Sequence, residues 1–342
     1  MTTTHRTAAA LAAVLALGAC SATTGADGQQ EDVLRVVTHD SFHLSDGLLA
    51  DFEEATGYTV ELIAPGDGGA LVNQLVLTRD NPLGDVVFGI DNSFAARAVE
   101  EGVLAPYRSP DAAETAFDDA LTAVDYGDVC VNIDRAWFAE EGLAEPRTLA
   151  DLADPAYADL LVVTNPATSS PGLAFLLATV AEFGEDGWED YWRDLTANGV
   201  RVVEGWSDAY YVDFSGSEGA GPRPLALSYS SSPAAEVPGD GSAPSTGALL
   251  ETCFRQTEYA GVLSGARNVE GAQAFVDFLL SPQVQADIPG SMYMYPVQEG
   301  VELPAEWAEH APASEEPLDL APEDITENRD RWVETWTEIV VG

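Results

Sequence analysis

The chain contains no lysine. All 14 of its basic residues are arginine, set against 58 acidic residues, for a formal net charge of −44. Such a surface repels polyanions, which excludes nucleic acid and anionic lipid as ligands. It would attract a cationic solute, although salt screens that attraction beyond about 10 Å. The net charge itself is better accounted for by a chain adapted to high salt, where dense carboxylates stay hydrated and self-repulsion is damped. Cysteine is scarce, at three residues, and histidine nearly so, at four. No Cys or His cluster has zinc spacing. Gly-x-Ser-x-Gly, His-Glu-x-x-His and Gly-x-x-x-x-Gly-Lys are all missing, so no familiar catalytic motif is present and no cofactor is expected. No segment beyond the N-terminus offers the roughly 20 apolar residues that a membrane-spanning helix needs.

What is present begins with the N-terminus. Arg6 precedes a small, apolar stretch from Ala8 to Leu17, followed by Leu17-Gly18-Ala19-Cys20. A basic start, a short apolar core and a small-residue cleavage site describe a secretory signal. A Cys directly after Leu-Gly-Ala is the pattern of a bacterial lipoprotein. Residues 1–19 are therefore expected to be a lipoprotein signal peptide. Cys20 is expected to carry lipid and attach the protein to a membrane, outside the cytoplasm. Residues 20–32 are polar and small and read as a tether. Cys130 and Cys253 remain, each in a β-like run of an exported chain, where disulfides persist. They are expected to be bonded to each other.

From Val33 onward, strand and helix patterns alternate. β-runs at 34–38, 58–63 and 85–90 are separated by helical periodicity at 48–55 and 69–78, and another helix follows at 94–102. A second block has strands at 160–164 and 200–203 with helices at 172–183 and 188–198 between them. A Pro/Gly/Ser-rich loop at 237–247 precedes a long β-run at 253–263, a helix at 269–280 and a final helix from 322 to about 340. Trp188, Trp192, Trp332 and Trp336 fall at helical spacing and are expected in the core. Strand–helix alternation predicts an α/β protein with two parallel or mixed sheets and helices on both faces. The expected layout is two lobes: 33–125 as lobe 1, 126–257 as lobe 2, 258–300 returning to lobe 1 and the hinge, and 301–342 as a C-terminal segment. A ligand would sit in the cleft, at carboxyl ends of strands and amino ends of helices.

The unusual residues fall in those strand-end loops. His39, Asp40 and Ser41 follow the first strand; Asp67 and Gly68 follow the second; Asp91 and Asn92 follow the third. Ser169 and Ser170 precede Pro171 at a helix start, Trp206 follows Gly205 on a loop with Tyr210 nearby, and Tyr229 and Tyr293 lie on later loops. The acids could face a cation, and the rings could hold one by cation–π contact worth roughly 0.5–2 kcal/mol. Asp67 and Asp91 read equally well as helix N-caps. The Ser169-Ser170-Pro171 run reads equally as an anion site and as an ordinary helix start. Together the groups suit a flat heteroaromatic cation.

These loops resemble those of a known family. Thr38-His39-Asp40-Ser41-Phe42, Asp67-Gly68, Asp85 through Asn92, and Asp125-Tyr126-Gly127 match in order. So do Thr168 through Leu173, Gly205 through Tyr210, Leu227 through Ala234, and Met294-Tyr295-Pro296-Val297. The pattern resembles the thiamine-binding substrate-binding proteins of ABC importers, within the type II periplasmic-binding-protein fold. The resemblance implies a non-enzymatic, monomeric capture protein for thiamine or its phosphate esters, working with ABC permease subunits. It places Asp67, Trp206 and Tyr229 in the pocket, and Ser169 and Ser170 near a phosphate ester. The sequence departs from the family at aromatic positions held here by His39, Ala235 and Tyr293. Two other readings compete. Tyr210-Tyr211 with His39 resembles the ligand set of ferric-iron-binding proteins of the same fold. A thiaminase-I-like enzyme would need Cys130 or Cys253 as a free nucleophile.

Overall fold

The computed structural model describes residues 32–112, 118–218 and 220–342; the expected signal peptide, Cys20 and the tether up to residue 31 lie outside the described residues. Among the described residues ten strands are formed: β1 (Val33–Thr38), β2 (Thr59–Ile63), β3 (Val86–Asp91), β4 (Leu104–Ala105), β5 (Thr122–Asp134), β6 (Leu161–Thr164), β7 (Arg201–Val203), β8 (Leu225–Tyr229), β9 (Thr246–Leu263) and β10 (Tyr295–Pro296). The helices of the first half are α1 (Leu48–Thr56), α2 (Gly68–Leu77), α3 (Ala95–Glu100), α4 (Arg135–Glu141), α5 (Leu149–Leu152) and α6 (Ser170–Phe183). Those of the second are α7 (Trp188–Ala197), α8 (Ser232–Ala235), α9 (Val269–Leu279), α10 (Pro282–Ser291), α11 (Trp307–His310) and α12 (Pro322–Val340).

The strands pair in the order β2-β1-β3-β9-β5-β8-β6-β7, with β10 on β5 and β4 on β9. β1, β2 and β3 are mutually parallel, as are β8, β6 and β7, while β9 and β5 run antiparallel to their neighbours. The two expected parallel halves are therefore both present. They are joined into one hydrogen-bonded path because β5 and β9 are long enough, at 13 and 18 residues, to belong to both. Both expected lobe boundaries fall inside these two strands. Their length was not legible in sequence. Acidic and small residues interrupt the apolar run of β5, and β9 begins at Thr246, inside the stretch read as a surface loop.

Burial explains the halves. Every residue of β3 is buried, as a central strand covered on both faces requires. Helix α6 is buried continuously from Ser170 to Val180, because it packs under β9 on one side and under α7 and α12 on the other. Trp188, Trp192, Trp332 and Trp336 are all in the core as expected. Trp192 packs edge-on to Trp336 at 5.5 Å, and its indole N–H donates to Thr179 Oγ1 at 2.9 Å, which satisfies a polar atom in a dry core. α10 was not anticipated. Its two prolines discourage a helical reading, yet Pro282 sits in the first turn, where no N–H is needed, and Ser281 caps Val284.

Cys130 and Cys253 are bonded, with an S–S distance of 2.00 Å and Cα atoms 4.2 Å apart. The bond ties β5 to β9 at the register shift between Val129 and Val131. The expected pairing is thus borne out.

Candidate functional site

One cavity gathers most of the residues singled out above. It encloses about 550 Å³ of empty space, mouth included, between the carboxyl end of β1, the amino ends of α2 and α6, and the loops after β7, β8 and α10. Its lining includes eight of the thirteen expected ligand residues: His39, Ser41, Asp67, Gly68, Ser170, Trp206, Tyr229 and Tyr293. Pro171, Ser232, Glu258, Met292 and Met294 complete it. No Arg or Lys lines it.

Asp67 is the most connected of these side chains. It caps α2, accepting from Gly68 N–H at 2.6 Å. From the other half of the molecule it accepts Ser170 N–H at 3.1 Å and Trp206 N–H at 2.9 Å. The carboxylate therefore occupies the helix N-terminus where the sequence offered an anion site, and it bridges the two halves. Gly68 and Gly69 permit this closeness: a Cβ on Gly68 would run into Ser170 Oγ, and one on Gly69 would come within 2.6 Å of the Thr168 backbone. Burial raises the Asp67 carboxyl, against the lowering effect of those donors.

The aromatic wall is built differently. Trp206 stacks on Tyr210 with ring centroids 5.2 Å apart and planes 12° from parallel. Its indole N–H donates to Ser228 Oγ at 2.8 Å, which fixes the ring. Tyr229 donates its O–H to Gln256 Oε1 at 3.3 Å. Tyr293 holds a left-handed backbone, φ 57°, which is uncommon for a non-glycine residue and concentrates at binding sites. His39 lies over β3, where Gly89 (φ 98°) leaves room that any Cβ would take from the imidazole ring.

Five expected site residues do not line this cavity. Asp40 is exposed, and Ser41 Oγ donates to it weakly at 3.5 Å. Asp91 is buried and accepts from Ser93 and Ser170. Asn92 brackets β9, donating to Arg255 O at 3.2 Å and accepting from Thr257 N–H at 3.0 Å. Ser169 turns into the core, donating to Thr164 Oγ1 at 2.8 Å and capping Gly172. Tyr210 is buried behind Trp206, and its O–H donates to Glu236 at 3.0 Å. It lies on a neighbouring cavity of about 640 Å³ with Tyr211, Glu218, Ala235 and Glu236, which shares Trp206, Ser232 and Tyr293 with the first.

Glu258 escaped the sequence reading. It sits in the long β-run between the polar Arg255-Gln256-Thr257 and the Tyr259–Leu263 stretch, and an acid inside a β-run is itself the signal that could have found it. The geometry also bears on the competing readings. Burial and Glu236 raise the Tyr210 phenol, and His39 and Tyr210 line separate, adjoining cavities. Both candidate nucleophilic thiols are spent in the disulfide.

Known proteins share this architecture. The family described as bacterial extracellular solute-binding protein matches residues 81–316. The thiamine-binding periplasmic protein of Escherichia coli (strain K12) is 30% identical over 322 residues, covering 90% of this chain and 93% of its own. That of Brucella suis biovar 1 (strain 1330) is also 30% identical over 322 residues, covering 90% and 92%. A solved periplasmic thiamin binding protein superposes with a TM-score of 0.79 at 28% identity, covering 90% of this chain and 96% of that one. With the two-half sheet, its long connecting strands and the cleft at their junction, these matches show that the chain belongs to the bacterial extracellular solute-binding proteins, in the type II periplasmic-binding-protein fold.

Proposed function

We propose that this protein captures thiamine outside the cytoplasm and delivers it to an ABC permease. The observation that carries the reading is the lining of the cleft: aromatic faces from Trp206, Tyr229 and Tyr293 beside the carboxyl groups of Asp67 and Glu258, with no Arg or Lys opposing them. Thiamine is a flat aminopyrimidine joined to a permanently cationic thiazolium. Such a ligand needs ring faces to stack on and negative charge to meet. The names of the relatives support the same ligand.

Phosphate esters of thiamine belong to the proposal through the N–H groups of Gly68, Ser170 and Trp206. Those donors now hold Asp67. An ester takes them only with Asp67 displaced or protonated, so ester binding should weaken relative to thiamine as pH rises. In this reading residues 33–125 and 258–300 form one lobe and 126–257 the other, and they close on the ligand by bending β5 and β9. A monomer anchored through lipid on Cys20 fits the tether sequence that follows it.

Calorimetric titration with thiamine, its monophosphate and its diphosphate tests the assignment. Binding should be accompanied by a change in tryptophan fluorescence. Trp206→Ala should cost about 1–3 kcal/mol of binding from lost stacking and cation–π contact, or roughly 5- to 150-fold in affinity. Absence of heat and of any fluorescence change with all three vitamers would refute the ligand.

A further inference from the structure

Three neighbouring strands carry acids in a single row. In the β3-β9-β5 ladder, Asp91 is registered against Glu258, and Glu258 against Asp125. Side chains of directly opposed antiparallel residues project from the same face, and like charges placed so are destabilising. All three are buried, at 1%, 5% and 0% exposure for Asp91, Glu258 and Asp125.

Their surroundings differ sharply. Asp91 is satisfied by Ser93 and Ser170. Neither oxygen of Asp125 meets an N–H or hydroxyl donor, although the side chain is wholly enclosed; its one polar partner is the Glu258 carboxyl. Glu258 stands between them and reaches the cavity. It accepts from Gln256 Nε2 at 3.2 Å, and His39 Nε2, itself without a hydrogen-bond partner, lies 3.7 Å away. The groups facing Glu258 are thus Asp91 from β3, Asp125 from β5, His39 from the loop after β1 and the phenol of Tyr229 from β8. Only His39 can offer positive charge. Among the described residues no group of His, Cys, Asp or Glu is arranged to hold a metal ion.

We infer that Glu258, backed by Asp125, is the receptor for the ligand's positive charge, and that ligand binding displaces a proton from this carboxyl pair. The inference deepens the thiamine reading and rests on it. Burial and the like charge of Asp125 hold Glu258 well above the usual carboxylate range, and burial pushes Asp125 up to about 7. The empty pair therefore keeps a proton near neutrality. A cation entering beside Glu258 supplies the charge that the pair lacks. The neutral carboxyl becomes a carboxylate paired with the ligand, and its proton leaves for solvent, so charge and atoms balance.

The test is titration calorimetry of the purified protein in buffers of different ionisation enthalpy, with thiamine and with N-methylpyridinium as a cation that is not the vitamin. Expected is release of up to one proton per thiamine at neutral pH, with affinity rising towards tenfold per pH unit on the acid side of the pair's titration. Glu258→Gln should abolish the release and lower affinity at least tenfold; Asp125→Asn should diminish the release while binding persists. Far-ultraviolet circular dichroism establishes that both variants are folded. Thiamine binding without buffer dependence, or release undiminished in either folded variant, overturns the inference and leaves the vitamin assignment standing. No binding of thiamine but proton-releasing binding of N-methylpyridinium overturns the vitamin and supports the receptor. No binding of either overturns both.

Discussion

Asp128 and Asp125 sit on one strand, paired across one ladder to β9, and could hardly be treated more differently. Asp128 is buried and fully provided for: Arg255 donates to both of its oxygens, with the Nη2 contact at 3.2 Å, and Ser314 N–H adds a bond at 2.7 Å. Arg255 also covers the Tyr126 ring at 5.3 Å. The disulfide lies just beyond. Asp125 is buried too and meets no N–H or hydroxyl donor, facing Glu258 rather than an arginine. One stretch of the ladder staples the two halves together; the adjoining stretch holds uncompensated acid beneath the cleft. Natural proteins depart from local consistency chiefly at functional sites, and here Glu258, the acid opposite Asp125, lines the ligand cavity.

The staple should give the largest effect. Replacing both Cys130 and Cys253 by Ala, or reducing the bond, should lower stability by about 2–5 kcal/mol, measured by denaturant unfolding with a lower midpoint and a steeper slope, since the uncrosslinked unfolded chain exposes more surface. A loss below the lower bound would show that the ladder is held by its other pairings.

The contrast between the two acids can be broken directly. Asp128→Asn should destabilise by about 1.5–3 kcal/mol, the range for hydrogen bonds to charged groups, with Arg255 left partly solvated. Asp125→Asn should cost little or stabilise, because it removes a buried carboxyl that no cation compensates. Its signature is pH dependence. Asp125 is raised from 3.8 to about 7, so between those values the folded protein keeps a proton that the unfolded chain has lost. Its stabilising contribution is complete below about pH 4 and disappears as pH rises through about 7. Thermal melts of the wild type over that window should fall with pH more steeply than those of Asp125→Asn. Parallel slopes would show that Asp125 has found a partner.

The smallest effect concerns the acids outside the ladder. Most of the 58 are exposed carboxylates whose mutual repulsion is screened by salt. The melting temperature should rise from tens of millimolar to molar salt. A flat curve would separate the surface acids from any salt adaptation and leave the cleft row as the acids with a discernible role.

Much of this molecule was readable from its residues. β-branched runs and 3.6-residue periodicity located β1, β2, β3, β6 and the helices between them, since those elements are specified by local pattern. Export implied a disulfide, and only two cysteines of the main body could make it. The strand-end loops held most of the cavity lining, because alternating strands and helices bring such loops to one edge of a sheet. Register was not readable. Glu258 and Asp125 are distant in sequence, and each lies in an otherwise ordinary β-run; only the antiparallel alignment of β5 with β9, and of β9 with β3, sets three carboxyls side by side. The same holds for Asp67, which could be recognised as a helix cap but not as the group that seals the amino end of α6 from across the cleft. It holds as well for Ser169 and Ser170, adjacent in sequence and opposite in role, one turned into the core and one lining the cavity. Local pattern decides which element a residue joins; which groups it must face is decided by the packing of elements far apart in the chain, and charge in a dry cleft is priced by those neighbours alone.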